Sequence, residues 1–216
     1  MLLAAIFTIA GYLSGSVLYA RVFARALGRS AVFPNGEYRN PGTVSAFKYG
    51  GVGCGMLTVV ADLAKGALPV ILYCYLAGPG ARASWLVAPV LLAPVLGHLF
   101  PLYFRLRGGK AIAVCFGVLI GLLPDWQPLC ALAVIYIGLS LVLCIPSTFY
   151  RSIVSYLASP FLMWGLGVCT PILGAFCVIA VLIILRFWLS PEQRGHFSVK
   201  LFGLAQVLPP TLHPGH

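Results

Sequence analysis

Residues 52–77 read VGCGMLTVVADLAKGALPVILYCYLA, an apolar run interrupted by only two charges, Asp62 and Lys65. About 20 apolar residues cross the hydrocarbon layer of a bilayer, so the run predicts a membrane helix. An ionisable side chain near the bilayer centre costs about 2.5–3.5 kcal/mol on insertion scales, and such residues turn towards a partner or a cavity. Asp62 and Lys65 stand three apart, on one helix face, where they are able to pair. Either they brace the bundle as a structural ion pair, with Lys65 reaching for the headgroups, or they line a functional cavity.

Outward from this run the chain keeps the same character. Of its 216 residues, 61% are hydrophobic and 8% charged, and the mean hydropathy is +1.00. Soluble domains carry about 25% charged residues, and disordered chains are rich in charge and poor in apolar residues. Both classes are therefore excluded. The pattern predicts an all-α integral membrane protein with about seven spans, at 1–24, 52–77, 84–104, 110–123, 128–146, 150–167 and 171–189. Breaks fall at Gly78-Pro79-Gly80, Pro124-Asp125, Cys144-Ile145-Pro146 and the Gly165–Pro171 stretch. The fourth span is short for a full crossing and is expected to be tilted or partly re-entrant. The expected organisation is one polytopic domain over 1–190 and a short C-terminal tail over 191–216. Met1 to Tyr19 has no basic n-region, so it is expected to remain as the first membrane helix. The seven cysteines are scattered through apolar stretches without a C-x-x-C pair and read as packing residues; no metal and no cofactor are expected.

The charge balance, 14 Lys and Arg against four acids, sets the orientation. Arg21, Arg25, Arg29, Arg39 and Lys48 follow span one, and Arg105, Arg107 and Lys110 follow span three. Arg151 follows span five, and Arg186, Arg194 and Lys200 follow span seven, while the intervening loops hold only Arg82. The positive-inside rule then places the N-terminus outside and the C-terminus in the cytoplasm. The same rule accounts for the net charge of +10 without nucleic acid.

Four further stretches carry polar groups. Gly11-Tyr12-Leu13-Ser14-Gly15-Ser16 fits a close helix-packing face or a polar site wall. Asn40-Pro41-Gly42-Thr43-Val44-Ser45-Ala46-Phe47-Lys48 is either a solvated basic loop or a set of tight turns whose N–H groups gather around an anion. His98, in Gly97-His98-Leu99-Phe100-Pro101, ends span three. Arg105-Leu106-Arg107-Gly108-Gly109-Lys110 opens span four, where a glycine pair before a helix start presents backbone N–H groups at the positive end of the dipole. With cations beside it, this is an anion site suited to phosphate. It is not a Walker A loop, because the earlier glycine is missing and Ala111 stands in place of Ser or Thr.

In this order the segments resemble the acyl-phosphate-dependent glycerol-3-phosphate acyltransferases of bacteria. The family's opening G-Y-L-x-G-S pattern is matched from Gly11 to Ser16, and its N-P-G-A-T-N-x-x-R loop looks like Asn40 to Lys48. Its L-D-x-x-K-G is similar to Ala61 to Gly66, and its G-H-x-F-P … G-G-K-G to Gly97 through Ala111. Its T-R-Y-V-S-L-A-S resembles Thr148 to Ser155. The departures are Tyr38 and Arg39 for the serine and glycine of a preceding G-S-G-N, Val44-Ser45 for Thr-Asn, Lys48 for arginine, Ala111 for the last glycine of G-G-K-G, and a closing R-H-R-x-N-I segment that aligns poorly from Arg186. The H-x-x-x-x-D signature of other acyltransferases is absent, with Tyr103 five after His98 and Leu201 five after His196.

The resemblance implies acyl transfer from acyl phosphate to glycerol 3-phosphate at the cytoplasmic face of a bacterial inner membrane. It implies Lys110 and Ser152 as catalytic residues and Asn40, Lys48, Gly108, Gly109 and His98 as substrate-binding ones, with Ser16, Asp62, Lys65 and Ser155 in support. The partners it implies are the two substrates and membrane lipid. A same-fold protein without this activity and a small transporter are the alternatives.

Overall fold

The computed structural model describes residues 1–28 and 42–190. These residues form eight α-helices and no strand: α1 (Leu2–Gly15), α2 (Tyr19–Ala26), α3 (Thr43–Ala77), α4 (Val87–Leu99), α5 (Ile112–Ile120), α6 (Gln127–Ile137), α7 (Thr148–Gly165) and α8 (Thr170–Trp188). Three stretches are long and apolar enough to cross a membrane: Thr43–Ala77, Val87–Phe104 and Thr170–Trp188. The pair α1 and α2, bent by 45° at its break, makes a fourth. The expected first span is thus two helices rather than one, because the chain leaves helical geometry at Leu18 (φ −93°, ψ 87°).

Other boundaries follow local chemistry. Gly51 adopts φ 80°, which breaks α3 just before residue 52, so the expected start of span two is a bend inside a longer helix. Thr43 to Gly50, expected as loop, is helical. The fourth span is the nine-residue α5; at 1.5 Å per residue it covers only about half of a bilayer's apolar thickness. Helix α6 continues as a π-helical turn over Gly138–Val142.

The helices are held at close range by small residues. A Cβ on Gly97 would collide with the Tyr12 carbonyl of α1 and lie 2.9 Å from the Ser16 nitrogen; one on Gly117 would collide with the Leu63 carbonyl of α3. Gly15 meets Pro94 in the same way, at 2.9 Å from its carbonyl carbon. The Gly11–Ser16 face is therefore a packing surface between α1 and α4. Around these crossings lies one apolar core that includes Val114, Val118, Leu132, Tyr156, Phe176 and Ile183. Cys54, Cys74 and Cys115 are buried as packing residues. At the opposite end from Lys110, Arg82 and Asp125 join the loops after α3 and α5 at 3.6 Å.

Candidate active site

The carboxylate of Asp62 and the ammonium of Lys65 lie 2.8 Å apart, both buried. Lys65 Nζ also donates to the Val17 carbonyl at the α1–α2 break (2.6 Å) and meets His98 Nδ1 at 2.9 Å. An ammonium only donates, so Nδ1 is the acceptor and the proton of a neutral His98 ring sits on Nε2. Lys65 therefore does not reach for the headgroups. It ties α3 to the end of α1 and to the end of α4, at the base of a cavity lined in part by Asp62 and His98.

That cavity, of about 730 Å³, opens where three helices begin. Its lining takes in Gly42 to Ser45 at the start of α3, Lys110 to Val114 at the start of α5, and Ser147 to Phe149 with Arg151 at the start of α7. None of the three helices carries a side-chain N-cap hydrogen bond. Their positive dipole ends converge on one space, which favours anions. Val59, Leu63, Phe116 and Phe187 make an adjoining apolar wall. Two cations face in: Lys110, its Nζ 4.5 Å from the Phe187 ring centroid, and Arg151, its guanidinium 5.3 Å from that of Tyr136.

The glycine pair before α5 acts differently from its expected role. Gly109 N–H donates to the His98 carbonyl (3.1 Å), and a Cβ on Gly108 would run into the His98 and Leu99 carbonyls. Arg186 donates to the Gly108 carbonyl (Nη2, 2.6 Å) and the Gly109 carbonyl (Nε, 3.3 Å). Neither glycine is among the cavity-lining residues. The missing side chain of Gly108 and the Gly109 N–H bond let the loop press against the end of α4, and this contact sets Lys110 at the cavity. Ala111, where the family pattern has glycine, keeps the left-handed conformation at φ 58°.

The remaining expected residues divide. Lys48 is exposed, with its ammonium over the Tyr49 ring at 5.0 Å, and does not line the cavity; the helical turn that carries it points it away. Ser16 is buried and donates back to the Tyr12 carbonyl (2.8 Å), and Ser155 donates to the Arg151 carbonyl (2.8 Å). Ser152 is buried and does not line the cavity, its Oγ 3.4 Å from the Tyr136 hydroxyl. Asn40 and His196 lie outside the described residues. Sequence reasoning missed Tyr136 entirely and treated Arg151 and Arg186 as topology charges. Their positions relative to helix ends were the available signal, but spacing alone does not say which cations turn inwards.

Fold and site together define, over the described residues, an all-helical membrane protein with a basic cavity of about 730 Å³ set against an apolar wall. The family model described as glycerol-3-phosphate acyltransferase matches residues 5–193. A glycerol-3-phosphate acyltransferase of Pseudomonas syringae pv. syringae is 36% identical over 89% of this chain and 91% of its own. One from Ralstonia nicotianae is 35% identical over 84% and 85%. Among solved structures, PlsY (YgiH), an integral membrane glycerol 3-phosphate acyltransferase, matches in its glycerol 3-phosphate form with a TM-score of 0.73. That match has 26% identity and covers 85% of this chain and 87% of PlsY. Its lysophosphatidic acid form matches with a TM-score of 0.71. This chain belongs to the glycerol-3-phosphate acyltransferase family.

Proposed function

We propose that this protein transfers an acyl group from an acyl phosphate to the 1-hydroxyl of glycerol 3-phosphate, yielding lysophosphatidate and inorganic phosphate. The observation that carries this is one cavity lined by two cations from separate elements, Lys110 in the loop before α5 and Arg151 on α7, beside an apolar wall. Both substrates bear a phosphate, and one bears a long chain. Lys110 and the start of α5 neutralise the donor phosphate, which is already a good leaving group. Holding the acceptor hydroxyl against the acyl carbon and stabilising the charge that develops then supply the catalysis. Asp62, Lys65 and His98 brace the floor, Ser152 supports it through Tyr136, and Asn40 contributes a polar contact to substrate.

The reading extends to placement. The cavity lies at the end of the bundle that carries Lys48, Arg105, Arg107, Lys110, Arg151 and Arg186, and basic residues gather on the cytoplasmic side. On this reading the site faces the cytoplasm from the inner membrane, in one domain over 1–190 with about seven membrane helices, the short α5 entering only part of the bilayer, and with its N-terminus outside. The test is purified protein supplied with palmitoyl phosphate and radiolabelled glycerol 3-phosphate. Labelled lysophosphatidate is expected, and its absence from folded protein refutes the activity.

A further inference from the structure

Beside the bend between α1 and α2 lies a surface that acyl transfer leaves unused. Residues 100–107 read FPLYFRLR, in which the exposed apolar side chains of Phe100, Leu102, Tyr103 and Leu106 are interspersed with exposed Arg105 and Arg107. The Pro101 carbonyl accepts from the N–H groups of both Phe104 (3.2 Å) and Leu106 (3.0 Å), so the segment is a closed turn. Arg105 and Leu106 both hold the left-handed conformation, at φ 52° and 59°, which L side chains rarely adopt. Such outliers persist where the surroundings enforce them, and they cluster at working surfaces. Helix α2 stands alongside. Arg21 lays its guanidinium over the Phe104 ring at 5.3 Å, and the chain at and just past α2 exposes Val22, Arg25 and Leu27.

Charge and depth decide what covers this surface. Four arginines gather here, Arg21, Arg25, Arg105 and Arg107. The two carboxylates among the described residues are taken elsewhere, Asp62 by Lys65 and Asp125 by Arg82. Exposed tryptophans mark the two headgroup levels of a bilayer: Trp85, Trp126 and Trp164 at the Arg82 end, and Trp188 at this one. Water disfavours bare apolar patches, and hydrocarbon disfavours guanidinium groups. The boundary between them accepts both, with apolar side chains in the acyl region and cations against lipid phosphates. We propose that the 100–107 turn and α2 together form a binding surface for anionic phospholipid, whose headgroup phosphate lies against Arg105 and Arg107 and whose chains lie along Leu102 and Leu106. The surface stands independently of the acyl-transfer reading.

The experiment is native mass spectrometry of the full chain in detergent, titrated with phosphatidylglycerol or with phosphatidylcholine of the same acyl chains. An arginine near an anionic lipid surface is worth about fivefold in affinity. Wild type is expected to bind phosphatidylglycerol about tenfold or more tightly than phosphatidylcholine. Arg105→Gln with Arg107→Gln should weaken phosphatidylglycerol roughly 10- to 30-fold and leave phosphatidylcholine within about twofold. Leu102→Ser with Leu106→Ser should weaken both lipids alike. Equal affinity of wild type for the two lipids overturns the proposal, as does a double arginine variant that keeps the preference. If that variant does not fold, raising the ammonium acetate around wild type from about 0.05 to about 0.5 M decides, because salt screens exposed charges. A preference that falls several-fold upholds the surface, and an unchanged one overturns it. A wild-type mass of two chains that the double arginine variant dissociates would assign the surface to a second copy of this chain and overturn lipid as its occupant.

Discussion

Lys65→Met removes an ammonium that serves three acceptors on three elements: Asp62 Oδ1 at 2.8 Å, His98 Nδ1 at 2.9 Å and the Val17 carbonyl at 2.6 Å. The carboxylate left behind is buried among packed helices with no other cation bonded to it among the described residues. Taking one partner from a buried ion pair costs about 3–5 kcal/mol, mostly because the other charge is stranded. For a chain of this length each kcal/mol moves the melting temperature by about 2–4 °C, so the variant is expected to melt roughly 6–20 °C lower. Removing both charges, in Asp62→Leu with Lys65→Met, leaves no stranded ion and should recover a large part of that loss. Unfolding in detergent is readable with a thiol-reactive dye, because Cys54, Cys74 and Cys115 are free and buried until the helices separate. A single variant within about 2 °C of wild type would refute the bracing role. So would a double variant whose loss equals the sum of the two single losses.

Arg186→Leu leaves the Gly108 and Gly109 carbonyls without their guanidinium donor; kcat is expected to fall about 10-fold or more, with partial rescue by Arg186→Lys, in the acyl phosphate assay. Ala111→Gly relieves a left-handed alanine at φ 58° and should raise the melting temperature by a few degrees. The relief is about 1–2 kcal/mol, offset in part by the extra freedom of an unfolded glycine. Lys48→Ala should leave the acceptor KM within about threefold of wild type, since Lys48 is exposed and outside the cavity lining; a rise of about tenfold or more would return the acceptor phosphate to Lys48.

Composition determined that this chain lives in a bilayer, because 61% hydrophobic residues and 8% charged ones leave no other solvent for it, and apolar runs of about 20 residues determined that it is helical. The order of short motifs was enough to recognise the family, and the asymmetry of basic residues was enough to propose an orientation. These are properties summed over many residues, and no three-dimensional contact is needed to read them. The identity of the working cations was a different matter. Lys48, Lys110, Arg151 and Arg186 are equivalent as topology charges, yet one lies exposed on Tyr49, two face the cavity and one clamps a glycine loop. The glycines at 108 and 109 looked like donors to an anion, but the end of α4 comes close enough to take the Gly109 N–H for itself. Only the tertiary structure decided these roles. A side chain's partner depends on which helix end packs beside it, and the spacing of residues along one helix carries no information about its neighbour.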